Sequence, residues 1–507
     1  MQHMRDGRQS DLLVDAGLDH LTAVLASVDL AAEHTERPRV DLLSFLKQHG
    51  VTTLRDRQAV ANALGRAQRR AAAAGSSSSI NCPNIPGESP TSSSDHAALL
   101  IPGMRDLYFS PFNWCITETG HAITSNPGAY LRVAWSGGRG NIELVIDSSA
   151  ASTPFMMLSY SLDGAPVQRV SVPHRNPSAR LSLPCSTDDA NSDAPTAAIT
   201  EQLPRRRTLV VHLHASVQQF DRWGGEGHPP ACSLRLASIR LPRGATSAAP
   251  IVRPRRVLGF GCSITEGVCA GFQVGTRGGD LNWNDGSATW VTTVAEHLDA
   301  EYGNVGFGRS GWTVGGNGGV PCFHKSDESD DASWRWIYSG VPRRFEGPPQ
   351  SPSPPPDIVI VLHATNDGLT GADRSDVARS VASWLGEARE AFGRATHLVL
   401  CVPFGGFGGC NAPAGALAKG FESYQQRGAR RDERAHLIDL GAVAREGLEG
   451  FRIVNGRYAP TPESCDGIHP TVERQSAIGA MLSSQLAQEL DLDIRDHGGG
   501  AAAEPIS

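Results

Sequence analysis

Between residues 252 and 490 the apolar pattern switches repeatedly between two periods, and this alternation restricts the fold more than any other feature of the chain. Short apolar runs at 257–260, 357–363, 397–402 and 435–440 read as buried strands, while 287–298, 374–392, 413–427 and 471–490 carry helical spacing. Strands that are apolar on both faces and separated by helices predict a parallel sheet covered on both sides, hence an α/β domain. Such a sheet takes its ligands at the carboxyl ends of its strands, so the residues after each strand are the ones to read for chemistry.

Residues 98–246 follow a different rule. Period-two stretches occur at Tyr130–Trp135, Ile142–Ile146, Leu158–Leu162, Thr208–His214 and Ser233–Leu241, with Asp163-Gly164 as a hairpin turn. Short strands with turns between them predict an all-β sandwich. The polar segment 171–207 predicts a long loop, and His212 and His214 share one strand face, with a sandwich surface expected there rather than a metal pair. Further upstream, Leu12, Leu18, Leu21, Val24 and Leu25 recur at helical spacing, so 11–70 reads as a bundle of short helices. The Ala-, Ser- and Pro-rich residues 71–97 read as a flexible linker, and the polar, Gly- and Ala-rich 491–507 as a disordered tail.

Charge and composition remove several functions. Lys plus Arg is 46 against 53 Asp plus Glu, a net charge of −7, which disfavours a nucleic-acid binder. No apolar run approaches the ~20 residues of a membrane span. Met1 to Ser10 has no apolar h-region behind it, so the chain is expected to be cytoplasmic. Its ten cysteines, none in a C-x-x-C pair, are then expected to be mostly reduced thiols, and no spacing of ligand residues predicts a metal or another cofactor.

Four blocks follow the candidate strands. Gly261-Cys262-Ser263-Ile264-Thr265-Glu266-Gly267 places a serine between glycines, on a turn that would expose it. Asn304-Val305-Gly306-Phe307-Gly308-Arg309-Ser310-Gly311-Trp312 is rich in glycines that let a backbone N–H approach a ligand. His363-Ala364-Thr365-Asn366-Asp367 carries an asparagine able to donate from its side chain. Asp466-Gly467-Ile468-His469-Pro470 sets a carboxylate three residues from an imidazole, close enough to fix its tautomer. Each block alone also reads as a loop or a cap; their order at successive strand ends is what argues for one site.

In that order the blocks resemble the SGNH, or GDSL-type, hydrolases. Gly261-Cys262-Ser263 matches the Gly-Asp-Ser block with Cys262 in the Asp position, and Ala364 stands for the glycine of the Gly-x-Asn-Asp block. Gly308 is the best match to the block-two glycine, with Gly306 and Gly311 as alternatives. The resemblance implies a flavodoxin-like parallel sheet. It implies Ser263 as nucleophile, His469 as general base and Asp466 as its orienting partner, with Ser263, Gly308 and Asn366 as the oxyanion hole. Ser110–Trp114, Ala122–Tyr130 and Asp221-Arg222-Trp223 resemble the N-terminal β-domain of two-domain carbohydrate esterases, which implies a jelly-roll ahead of the catalytic domain and an O-acetylated sugar as substrate. Phe45–Arg57 resembles a sterile-alpha-motif domain, implying protein partners or self-association.

The expectation is therefore a serine esterase acting on short-chain, acetyl esters of a small molecule or oligosaccharide, with no nucleic-acid or membrane partner. A catalytically impaired sugar-binding or scaffold protein, weakened by Cys262 and Ala364, and an acyltransferase of the same fold are the alternatives. Trp312, Trp334 and Trp336 lie between blocks two and three, where they would either stack on sugar rings or form the core of that insertion.

Overall fold

A computed structural model describes residues 98–490, apart from 152–154, 185–204, 226–227, 273–278, 327–331, 344–354, 404–410, 429, 441–451, 455–456, 460–463 and 465. The helical domain, linker and tail expected at 11–70, 71–97 and 491–507 lie outside these residues.

Twelve antiparallel strands come first: β1 (Leu99–Leu100), β2 (Leu107–Phe109), β3 (Cys115–Ile116), β4 (Ala122–Thr124), β5 (Tyr130–Arg139), β6 (Ile142–Ile146), β7 (Met156–Leu162), β8 (Gln168–Ser171), β9 (Ala179–Leu183), β10 (Arg206–Ser216), β11 (Leu234–Arg240) and β12 (Arg243–Ala248). They form two sheets, in the orders β3-β4-β11-β6-β9 and β12-β5-β10-β7-β8, with β1 and β2 added on β11 and β5. Alternation decides which side chains turn inward. In β9, Ala179, Leu181 and Leu183 are buried while Arg180 and Ser182 are exposed, and Leu181 and Leu183 join Leu144, Leu158, Leu213 and Leu236 in one core between the sheets. A strand therefore stands within the segment whose polarity predicts a long loop: in a short edge element three inward residues suffice. Asp163 and Gly164, at φ 52° and 74°, turn the chain after β7, as the Asp-Gly pair predicts.

The α/β part comprises β13 (Arg255–Gly261), α1 (Ser263–Glu266), α2 (Asp280–Trp283), α3 (Trp290–His297), β14 (Ala300–Gly306), β15 (Trp336–Tyr338), β16 (Val341–Pro342), β17 (Ile358–Leu362), α4 (Thr365–Thr370), α5 (Arg374–Phe392), β18 (His397–Val402), α6 (Asn411–Arg427), β19 (Ala435–Asp439), β20 (Arg452–Val454), β21 (Arg457–Ala459) and α7 (Val472–Leu490). The parallel sheet runs β14-β13-β17-β18-β19, the flavodoxin-like order, and β15-β16 and β20-β21 are small antiparallel pairs. Successive residues of β17 serve opposite faces. Ile358 and Ile360 pack with Trp290, Val294, Ile478 and Leu482 of α3 and α7; Val359 and Val361 pack on the face covered by Val381 and Leu385 of α5 and Leu417 of α6. This two-sided burial is why the strand is one unbroken apolar run. Helix α5 starts where the Asp373 carboxylate accepts from the amides of Ser375 and Asp376, and stops at Gly393, φ 81°. Among the described residues no helix is long and apolar enough to cross a membrane.

Sandwich and parallel sheet meet over β14. Arg132 of β5 pairs with Glu301 at 2.9 Å, and the Tyr130 hydroxyl donates to the same carboxylate. Tyr130 also packs against Tyr302, ring centroids 4.9 Å apart. His214 is fully buried at this junction, 3.1 Å from Asp285, rather than on a sandwich surface. The strand face expected to meet solvent meets the second domain instead.

Candidate active site

Order 2-1-3-4-5 creates a switch point between β13 and β17, and a crevice opens outside their carboxyl ends. Ser263 and Asn366 follow those two strands. Between Gly261 and Ser263 the chain turns so tightly that a Cβ on Gly261 would come within 2.0 Å of the Thr265 hydroxyl. Only glycine fits there, and the turn puts Ser263 at the first position of α1, where an N–H has no intrahelical acceptor. Ser263 is 8 % exposed.

His469 reaches Ser263 from the far end of the sequence: its Nε2 lies 2.7 Å from the Ser263 Oγ, and its Nδ1 lies 2.6 Å from Asp466 Oδ2. The other carboxylate oxygen, Oδ1, accepts the amides of Ile468 and His469, both at 2.9 Å, so one aspartate folds the loop and orients the ring. Burial would raise the Asp466 carboxyl, but the His469 hydrogen bond and charge, with those two amides, hold it at about 2. Gln475 of α7 ties this loop to the nucleophile turn. Fully buried, it donates to the Ile264 carbonyl at 2.8 Å and accepts from the Trp290 amide at 3.1 Å.

The other two blocks are fastened to each other and to α1. Asn366 Nδ2 donates to the Ser310 carbonyl at 2.9 Å. Asp367 accepts from the amides of Trp312 and Thr313, at 2.8 and 2.9 Å, and from the Thr313 hydroxyl at 3.0 Å. The Gly308 amide, expected in the oxyanion hole, donates to Glu266 Oε2 at 2.7 Å instead. The next amide, that of Arg309, has no acceptor among the described residues. Gly308 thus shapes the turn while the amide of its neighbour stays without an acceptor among the described residues, a one-residue distinction that glycine spacing does not reveal.

Glu266 is the pivot of this side. Its Oε2 also accepts from Gln218 Nε2 at 2.8 Å, and its Oε1 pairs with Arg222 at 2.7 Å. Gln218 and Arg222 belong to the sandwich side, just past β10. Burial pushes the Glu266 carboxyl up from its ordinary value, and Arg222 and the Gly308 amide draw it back. Glu266, Arg222 and Asp367 stand inside the sequence blocks without any hint of these roles, and Gln218 and Gln475 stand outside every block. Their signal is a polar type inside an apolar context, which is visible only once burial is known.

The cleft is small, about 160 Å³, and is lined by Gln218, Ser263, Arg309, Asn317, Asn366 and His469 among others. Trp312 and Trp334 do not reach it. Both are 1 % exposed and pack with Phe323 and Trp384, and Trp336 packs against the same core. The insertion has few regular elements, so bulky indoles supply its interior. Among the described residues Cys232, Cys262 and Cys401 are buried thiols, in line with the expectation of mostly reduced cysteines, while Cys269 is in a disulfide. The Cys269 sulfur lies within 4.8 Å of donor atoms of Asp466 and His469, but the disulfide engages the sulfur, and the other two groups bond each other. The trio therefore does not offer a set of vacant ligands.

Residues 260–475 match the GDSL-like Lipase/Acylhydrolase family. No curated protein matches the whole sequence significantly. Solved structures of similar fold include a family two carbohydrate esterase from Cellvibrio japonicus, 15% identical over 78% of this chain and 98% of that one, TM-score 0.53. Another, from Clostridium thermocellum in complex with cellohexaose, is 14% identical over 76% and 99%, TM-score 0.55. An acetyl xylan esterase from the rumen bacterium Butyrivibrio proteoclasticus is 13% identical over 78% and 99%, TM-score 0.53. At such identities the likeness is one of fold. The chain carries a GDSL-like acylhydrolase domain behind an antiparallel β domain, and its enzyme class is carboxylic ester hydrolase.

Proposed function

We propose that this esterase removes short acyl groups, acetyl foremost, from O-acylated carbohydrates through a serine acyl-enzyme. The observation that carries the reading is the unbroken line Ser263–His469–Asp466, with contacts of 2.7 and 2.6 Å at the mouth of a cleft. A serine hydroxyl is a weak nucleophile, so His469 takes its proton as the oxygen attacks the ester carbonyl. Asp466, ionised at neutral pH, keeps the ring in the tautomer that accepts at Nε2 and stabilises the imidazolium. Charge on the carbonyl oxygen is met by the Ser263 N–H, the second N–H of the Asn366 amide and the Arg309 N–H, which takes the role expected of Gly308. Each such donor contributes about 3 kcal/mol. His469 then protonates the departing sugar oxygen, and water repeats the sequence to release the acid.

Two further features support the substrate class. A cleft of about 160 Å³ lies well below the roughly 300–1,000 Å³ of drug-sized ligand sites, which favours a small acyl group. The side-chain amide oxygen of Asn317 on its wall, which accepts from no described residue, suits a sugar hydroxyl. The Clostridium thermocellum structure of the same fold holds cellohexaose. Ser263→Ala should abolish release of acetate from acetylated oligosaccharides and labelling by a fluorophosphonate, with an unchanged circular dichroism spectrum. Full turnover in that variant overturns the reading.

A further inference from the structure

Arg309 occupies a backbone position that suits glycine. The Ser310 amide bonds the Phe307 carbonyl at 3.1 Å, closing a four-residue turn whose third member, Arg309, has φ 66°. That is the place where a type II turn takes glycine or asparagine, because a Cβ is strained there. The surroundings leave the turn no alternative. Glu266 holds the Gly308 amide at 2.7 Å, the Asn317 amide holds the Gly308 carbonyl at 2.8 Å, and Asn366 holds the Ser310 carbonyl at 2.9 Å. A strained residue kept by such over-determination marks a function carried by its side chain or its amide.

The side chain has no structural employment. Arg309 is exposed, and it makes no ion pair or hydrogen bond with any described residue. Arg222, by contrast, is fully buried and paired with Glu266. Arg309 lines the cleft with Ser263 and His469, and no carboxylate stands among the lining residues. Asp466 is engaged by His469, and Glu266 by Arg222, Gln218 and Gly308. Among the described residues, the wall beside the nucleophile therefore carries a guanidinium with no counter-charge.

We propose that Arg309 anchors a carboxylate on the substrate, so that the enzyme selects acidic esters over neutral ones. The inference rests on the esterase reading and adds the charge of the substrate to it. A guanidinium presents a planar fork that matches a carboxylate with two parallel hydrogen bonds, which a point charge does not. The carboxylate can belong to the acyl group or to the alcohol, as in a uronic acid.

Two substrate pairs separate these sources. On the acyl side, 4-nitrophenyl hydrogen glutarate is compared with its methyl ester. On the alcohol side, methyl O-acetyl-glucosiduronic acid is compared with methyl O-acetyl-glucoside. In the unmodified enzyme kcat/KM should favour the acid about tenfold in one of the pairs. The preference should fall to near one in Arg309→Gln and in about 1 M salt, where charges are screened within ~3 Å. Arg309→Lys should keep part of it. The readout is a ratio within each variant, so a general loss of rate does not disturb it. Arg309→Asn, which tolerates the left-handed turn, gives the same answer if the glutamine variant fails to fold. A ratio near one for both pairs in the unmodified enzyme, or a ratio unchanged by Arg309→Gln, overturns the proposal. If no ester is turned over and Ser263 takes no fluorophosphonate, it is the esterase reading that falls. Calorimetric titration with glutarate and glucuronate then decides the anchor: saturable binding lost in Arg309→Gln supports it, and absent or unaltered binding overturns it.

Discussion

The two sides of the cleft are assembled in opposite ways. Ser263, His469 and Asp466 are held within the α/β domain, by Gln475 and by the amides of their own loop. Their polar groups are partly open: the Asp466 side chain is 42% exposed. The turn that carries Arg309 is held by Glu266, whose partners Gln218 and Arg222 come from the sandwich, and both members of the Glu266–Arg222 pair are fully buried. Chemistry and its scaffold are thus separable on the first side and fused on the second. The sandwich is part of the site because it supplies the counter-charge for a carboxylate sealed beneath the nucleophile.

The sharpest test of that contrast is a substitution that should alter chemistry and leave the fold alone. Asp466→Asn keeps the size of the side chain but removes the charge that fixes the His469 tautomer; kcat should fall about 10⁴-fold, as loss of the aspartate does in serine-histidine-aspartate sites generally. The fold should be kept, and the melting temperature at neutral pH should drop only by the modest stabilisation that the ionised, partly exposed Asp466 contributes. An acid titration gives a second readout. Asp466 sits at about 2, below the ~3.9 of an unfolded chain, so its stabilisation is complete above about pH 4 and is lost as the pH falls toward 2. Unfolding measured across that window should show this loss in the parent and not in Asp466→Asn. Near-normal turnover in the variant would remove Asp466 from the mechanism.

Glu266→Gln should do the reverse. It leaves Arg222 charged, buried and without its partner, and one-sided breakage of such a pair costs about 3–5 kcal/mol. Turnover per folded molecule should fall far less than in Asp466→Asn, since the glutamine oxygen can still accept the Gly308 amide. Adding Arg222→Met to Glu266→Gln, which removes the orphaned guanidinium and keeps an acceptor for the Gly308 amide, should recover much of the stability. Denaturant unfolding measures each cost. If the single substitution proves harmless, the pair does not bind the two domains together.

The same contrast explains what the sequence disclosed. Helix α5 and strand β18 occupy the residues their periodicity predicts, 374–392 and 397–402, because each is buried along a regular stripe. The blocks of Ser263, Asn366 and Asp466–His469 were legible because a sheet must end each strand at one edge, and because tight turns restrict the residue types there. The seam left no such trace. Gln218, Arg222, Glu266 and Gly308 come from three separate segments with no shared period, and their polarity only gains meaning from their burial. Trp312 and Trp334 left two readings open for the complementary reason: an indole next to a glycine-rich block can line a cleft or fill a core, and burial selects the core, because an insertion poor in helices needs large rings as its interior.

The smallest effect is expected where sequence and backbone disagree. Ala364 stands in the place of a glycine and has φ 106° and ψ −15°, a region that an L side chain rarely occupies. Strain of this kind costs about 1–3 kcal/mol. Ala364→Gly relieves it, but gives up the burial of one methyl, about 0.8 kcal/mol, and about 0.4–1 kcal/mol of chain entropy. These terms nearly cancel, so the expected change is stabilisation by up to about 1 kcal/mol, read as a rise in denaturation midpoint with an unchanged slope. In a helix interior the same substitution would destabilise by roughly that amount, so the sign of the effect tests the strain directly. A loss above ~1 kcal/mol would mean that the Ala364 methyl, 1 % exposed against the core beneath α5, does more for this turn than its backbone costs.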